Sequence, residues 1–193
     1  MPAPRQRRLF ASVLLLLASA VCAGPRVLLL NSYHPQYAWT AELTRGVQDE
    51  LADGVADEDL HIEYLDGRRM VDDPLYFNVL EQLLLLKYNS FKPDVIMTSD
   101  DYALQFMRER GRNLFGETPV IFSGVNVFEP AMLDGLPQYT GLLEGMEIAR
   151  NLDLIAALQP NVHQIILLAD KTSFGQRMVS HARELLSARQ NLH

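Results

Sequence analysis

The sequence predicts an α/β fold: a doubly wound parallel sheet in one lobe, followed by a second, incomplete α/β lobe. Three observations predict it. Apolar, strand-like runs alternate regularly with segments of helical periodicity. The runs are continuously aliphatic, as strands covered on both faces are. Three of them finish in polar tips: LLLNSY at 28–33, IMTSDD at 96–101 and IFSGVN at 121–126. In an open parallel sheet the ligand crevice lies beyond the carboxyl ends of the strands. Buried strands have no reason to finish repeatedly in hydroxyls, carboxylates and a carboxamide unless those tips meet something. The pattern therefore predicts a binding cleft rather than a catalytic machine.

The first residues predict the compartment. Arg5, Arg7 and Arg8 precede the apolar run 9–21, and Val21-Cys22-Ala23 offers small residues for cleavage before Gly24. This is the layout of a cleavable secretory signal peptide, 1–23, in a periplasmic or secreted protein. The run is short for a spanning helix of ~20 residues. Removing 23 of the 193 residues leaves 170, enough for an ordinary domain core. Cys22, the only cysteine, leaves with the segment, so no internal disulfide or thiolate metal site is expected. Three arginines and no acids also leave, taking the formal net charge from −7 to −10. So acidic a chain argues against nucleic acid and anionic lipid as partners. With no second long apolar stretch, membrane attachment is expected only through a downstream segment.

Along the chain, residues 26–31 read as the first strand. Trp39, Leu43, Val47 and Leu51 then recur every fourth residue and predict one face of a helix. Residues 60–65 read as the second strand. Asp72-Asp73-Pro74 supplies a cap and a first-turn proline for a helix over 75–89 that buries Val79, Leu80, Leu83 and Leu84. A third strand over 95–98, a helix capped by Ser99 or Asp100 and a fourth strand over 118–122 complete a βαβαβαβ lobe, 24–127. The second unit, 128–193, is expected to hold a strand at 139–143, a helix with Ile148, Leu152 and Ile155 on one face, a strand at 164–169 and a helix capped by Thr172 or Ser173. That helix buries Phe174, Met178, Val179, Leu185 and Leu186.

The segment 32–40 concentrates aromatic and polar groups: Ser32, Tyr33, Tyr37 and Trp39, the sole tryptophan. Aromatic faces at a cleft attract cations by roughly 0.5–2 kcal/mol each, although Trp39 serves equally well as the first core residue of its helix. Of Asp100 and Asp101, one is expected to cap the helix amides and the other to face the cleft. Ser123, Gly124 and Asn126 offer a hydroxyl, close backbone approach and a carboxamide. Glu144 and Asp170, at the ends of the second unit's strands, would close on a ligand from the other side or stay as solvated loop acids. Nucleophile-elbow, phosphate-loop and zinc-helix motifs are absent from the sequence. The five histidines lack metal-ligand spacing, so no cofactor, metal or catalytic residue is expected.

Through 27–35 and 37–40, then 92–101, 118–126 and 140–144, the chain resembles the periplasmic ABC-transporter substrate-binding-like domains of type I periplasmic-binding-protein fold. These serve as sensor inputs, often fused to histidine kinases or cyclic-di-GMP enzymes. The resemblance implies a Venus-flytrap whose two lobes close on a small solute, often an amino acid. By position it implies Ser32, Tyr33, Tyr37, Trp39, Ser99, Asp100, Ser123, Asn126 and Glu144 as cleft residues, with Asp101 and Asp170 less central. Family members are longer than this chain, so weak binding by the isolated chain and uncovered apolar area in the second unit are expected. The leading expectation is the solute-sensing input of a membrane receptor, for an amino acid, cationic ones included, with a homodimer allowed for. The alternatives are the free binding protein of an uptake transporter and a small periplasmic hydrolase using Ser99 or Ser123.

Overall fold

The computed structural model describes residues 24–70, 73, 75–126, 128–171 and 173–189. The expected signal peptide, the Asp72 and Pro74 cap positions, Thr172 and the last four residues lie outside the described residues. Of Phe174, only its place in a helix is described.

Five strands form one parallel sheet: β1 (Val27–Asn31), β2 (Leu60–Tyr64), β3 (Val95–Ser99), β4 (Val120–Val125) and β5 (Tyr139–Leu143), in the order β2-β1-β3-β4-β5. The central strand β1 is buried throughout, which is why its sequence is unbroken aliphatic before Asn31. Its register sets Asn31 beside Tyr64 on one side and Ser99 on the other. β4 continues the register, with Ser123 beside Ser99. The polar tips therefore line up along one edge.

Helices α1 (Ala38–Leu51), α2 (Tyr76–Lys87) and α3 (Asp100–Phe115) make the crossovers. On one face, Leu28, Leu30, Ile96, Val120 and Phe122 meet Leu80, Leu84, Ala103, Phe106 and Met107 from α2 and α3. Phe106 is fully buried and meets Phe77 edge-on at 5.1 Å. On the other face α1 presents Thr40 and Thr44, and Asn31 donates to Thr44 at 3.2 Å. Leu43, Val47 and Leu51 are thus half-buried flanks rather than the centre of the inward face.

Three differences from the sequence expectations have physical causes. The sequence places β5 in the second unit, yet it pairs in parallel with β4 from Val120↔Tyr139 to Val125↔Leu143 and extends the first sheet. Periodicity identifies a strand but carries no information about its partner. Residues 164–169 run without a strand assignment, and Ile166 and Leu168 are 79% and 93% exposed. A strand needs a neighbour for its hydrogen bonds, and none lies beside this run among the described residues. Finally, Leu80 and Leu84 of α2 are buried, but Val79 and Leu83 stand 61% and 47% exposed.

Beyond the sheet, α4 (Ile148–Leu158) and α5 (Ser173–Ser187) pack on each other through Leu152 and Leu186, joined by Ile148, Val162, Ile165 and Leu185. Asp73 accepts from the Leu75 amide at 2.9 Å ahead of α2. Gly116, at φ 64, ends α3.

The two-sided nature of α2 is measurable. Leu84→Ala should cost about 2–5 kcal/mol in urea unfolding at high dilution, since it opens a cavity against the sheet. Val79→Ala on the same helix should stay within about 0.5 kcal/mol. Equal effects would contradict the orientation of the helix.

Candidate functional site

The site begins at a buried brace. Asn31 and Ser99 end adjacent strands, and the Ser99 hydroxyl donates to the Asn31 side-chain oxygen at 3.0 Å. The next residue, Ser32, donates its hydroxyl to the Ser99 carbonyl and accepts from the Ala103 amide at 2.8 Å. Its hydroxyl therefore satisfies one of the free amides in the first turn of α3, as a cap residue would, but from another strand. Ser99, in the cap position, makes no side-chain cap bond. Ser32 and Ser99 are both 0% exposed. This corrects their assignment as cleft residues, because a solute cannot reach them. They hold the tips that a solute could reach.

Asp100 stands directly on the brace. Its φ of 64 places a non-glycine residue in the left-handed region, at a cost on the order of 1 kcal/mol or more. The turn aims the carboxyl at Gly124, also at positive φ, where a Cβ would meet Asp100 Oδ1 at 3.4 Å. Gly124 therefore supplies close approach, as expected, but for Asp100. Asp100 is 5% exposed, and its Oδ2 is buried without a hydrogen-bond partner. Burial, then the nearby Asp101 and Glu144 carboxylates, push its pKa up to about 7. Trp39 is 44% exposed, so it does not serve as a core anchor of its helix.

Of the other predicted residues, Tyr33, Asp101 and Glu144 lie near enough to this carboxyl to interact with it electrostatically. Tyr33 and Tyr37 meet edge-on at 5.4 Å. Burial and the charges of Asp100 and Asp101 hold the Tyr33 phenol protonated, with its pKa raised. Asp101 accepts from the Asn126 amide at 3.5 Å, and Ser123 donates to the Thr98 carbonyl at 3.4 Å. The Glu144 amide donates to the Val125 carbonyl at 2.8 Å, tying the loop after β5 to the end of β4.

Two arginines belong with these residues although the sequence did not single them out. Arg68, in the turn after β2, lies 5.5 Å from the Tyr33 ring centre and 4.6 Å from that of Tyr37, and bonds Asp170 at 2.9 Å. Arg177 of α5 approaches Asp101 at 3.5 Å. Both ion pairs join the sheet edge to the segment carrying α5. Nothing in the local sequence marks these arginines, since each partner is distant along the chain. The tyrosine faces are thus already engaged by the protein's own cation. Beside Arg177, a cavity of about 730 Å³ is lined by Asn126, Phe128, Met146, Gln176 and His181 among others. Among the described residues, no group of three or more acids, histidines or cysteines is placed to hold a metal, and no helix is long and apolar enough to cross a membrane.

Asp100 makes stability depend on pH in a definite sense. Its folded pKa lies above the ordinary value of 3.8, so the neutral form is favoured by folding. That contribution is complete below about pH 4, is lost as pH rises through about 7, and is flat above it. Comparing unfolding free energies at pH 4 and 8, wild type should lose on the order of 2–4 kcal/mol more than Asp100→Asn. Parallel pH profiles would show that the carboxyl is solvated.

No protein-family model matches the sequence, and no curated protein does. Solved structures do. An ABC domain in complex with L-Trp from Streptococcus pneumoniae matches at 18% identity and a TM-score of 0.59 over 86% of this chain and 54% of that one. A conserved domain protein from Vibrio cholerae matches at 14% and 0.59, over 88% and 55%. The ligand-free, open form of a substrate-binding protein with adhesive properties from Clostridium difficile matches at 14% and 0.52, over 87% and 55%. The chain spans about half the length of each, and the fold it shares with them is the periplasmic-binding type of α/β fold.

Proposed function

We propose that the chain contributes one side, and part of the other, of a cleft that binds a small zwitterionic solute, an amino acid or close relative. One observation carries the reading. Asp100 is held in a strained conformation at the carboxyl edge of the sheet, with a buried side-chain oxygen that has no hydrogen-bond partner. A carboxyl so placed is expensive unless something completes its hydrogen bonding. An ammonium group would do so, with Asp101 and Glu144 adding attraction. Arg177, whose Nε is buried without a partner, and Arg68 offer cations for a solute carboxylate. The similarity to an L-Trp-bound domain and to a substrate-binding protein supports this reading.

The two-lobed division, export through a cleaved leader, and service as the input of a membrane signalling receptor belong to the same proposal. The free binding protein of an uptake transporter shares the site and differs in its downstream partner. Ser99, the first nucleophile considered for a hydrolase, is fully buried with its hydroxyl committed to Asn31. The reading favours a zwitterion over a purely cationic solute, because Arg68 already covers the tyrosine faces.

Calorimetric titration with L-amino acids at pH 7 tests the proposal through protons. An ammonium beside Asp100 lowers its pKa, so binding releases a proton fraction and the heat changes with the ionisation enthalpy of the buffer. Asp100→Asn should abolish that buffer dependence. Proton uptake on binding, or no heat with any amine-bearing solute, would defeat the assignment.

A further inference from the structure

Helix α2 carries a second apolar face that its own fold leaves bare. Leu75, Val79, Leu83 and Leu86 succeed one another at spacings of four, four and three residues, on the side away from the buried Leu80 and Leu84. They are 66%, 61%, 47% and 80% exposed, and Leu85 beside them is 41% exposed. The helix's two charges are turned away from this stripe. Glu81 meets Asn113 at 3.3 Å and Arg110 at 3.6 Å on α3, and Lys87 meets Glu63 of β2. The Asn78 carboxamide likewise turns to α3, accepting from Arg110 at 2.9 Å, which leaves Gln82 as the exposed polar group beside the stripe.

We infer that this stripe is the contact through which two copies of the chain associate, α2 packing antiparallel on α2 across a two-fold axis near Glu81. The surface is its own complement. A two-fold contact sets one patch against itself, and this patch has nearly the same spacing read in either direction. A carboxamide both donates and accepts, so Gln82 can meet its own copy, which a charged group cannot. A chain of formal net charge −7 approaches its copy most easily where it bears no charge. Lipid is the poorer fit, since a membrane-docking helix carries basic residues flanking its apolar face. The stripe runs about 16 Å, too short to supply alone the ~800 Å² per partner of a standard interface. The dimer is therefore weak and concentration-dependent.

Sedimentation of the full chain over a concentration series tests this. Wild type should pass from monomer to dimer at roughly micromolar concentrations. Val79→Glu and Leu83→Glu should each weaken association roughly tenfold or more, because each forces a charge into an apolar contact. Gln48→Glu, on α1 at the opposite face of the sheet, should change nothing. As a check that does not disturb the stripe, Gln82→Cys in a Cys22→Ser background should give a disulfide-linked dimer under mild oxidation, and Gln48→Cys should not. A monomer at all concentrations would overturn the inference. So would association indifferent to both glutamates, or vesicle binding lost in the glutamate variants without any dimer in wild type.

Discussion

The structure depends on one hydrogen-bonded junction at the carboxyl ends of β1 and β3. Asn31, Ser32 and Ser99 are sealed from water and satisfy one another there. Ser32 also anchors the first turn of α3. The junction has three consequences. The loop carrying Tyr33 and Tyr37 leaves the sheet at a fixed place. Helix α3 begins abruptly, without a cap from its own strand. And Asp100, the residue caught between strand and helix, is held at positive φ. Buried polar networks are high-stakes because each unmet bond in a low-dielectric interior is costly. A fully satisfied one is a rigid platform on which a strained residue can stand.

Electrostatics at the site divides into two layers. Asp100 is buried, close to two other acids, and lifted toward neutrality. Around it, Asp101 and Asp170 meet Arg177 and Arg68. The outer pairs are partly exposed and contribute little stability individually. Their geometry matters more, since each links the sheet edge to the α5 segment. On the proposed function, a solute that competed for one of these partners would change how the sheet edge and the α5 segment are held together.

The parallel sheet and its crossovers were legible because they rest on local patterns. Continuous aliphatic runs marked the buried strands, and four-residue recurrence marked the helices. What failed was what depends on partners. The stretch 164–169 has a strand's composition but no strand beside it. The aliphatic run of α2 supplied two apolar faces where one core was available, so Val79 and Leu83 face outward. At the candidate site, the polar tips do line up along one edge of the sheet, but their order did not reveal which of them are buried. Ser32 and Ser99 look like ligand contacts in sequence, and only burial distinguishes a brace from a contact.

By itself, the sequence determined the alternation of strands and helices and the polar tips at one end of the strands, because both are written in the order of near neighbours. Tertiary structure decided which tip residues are buried, that β5 extends the first sheet, and that Arg68 and Arg177 pair with Asp170 and Asp101. The physical reason is the same in each case. Burial, strand pairing and ion pairing join residues tens of positions apart, and local residue order records the chemistry each position offers without recording which distant group receives it.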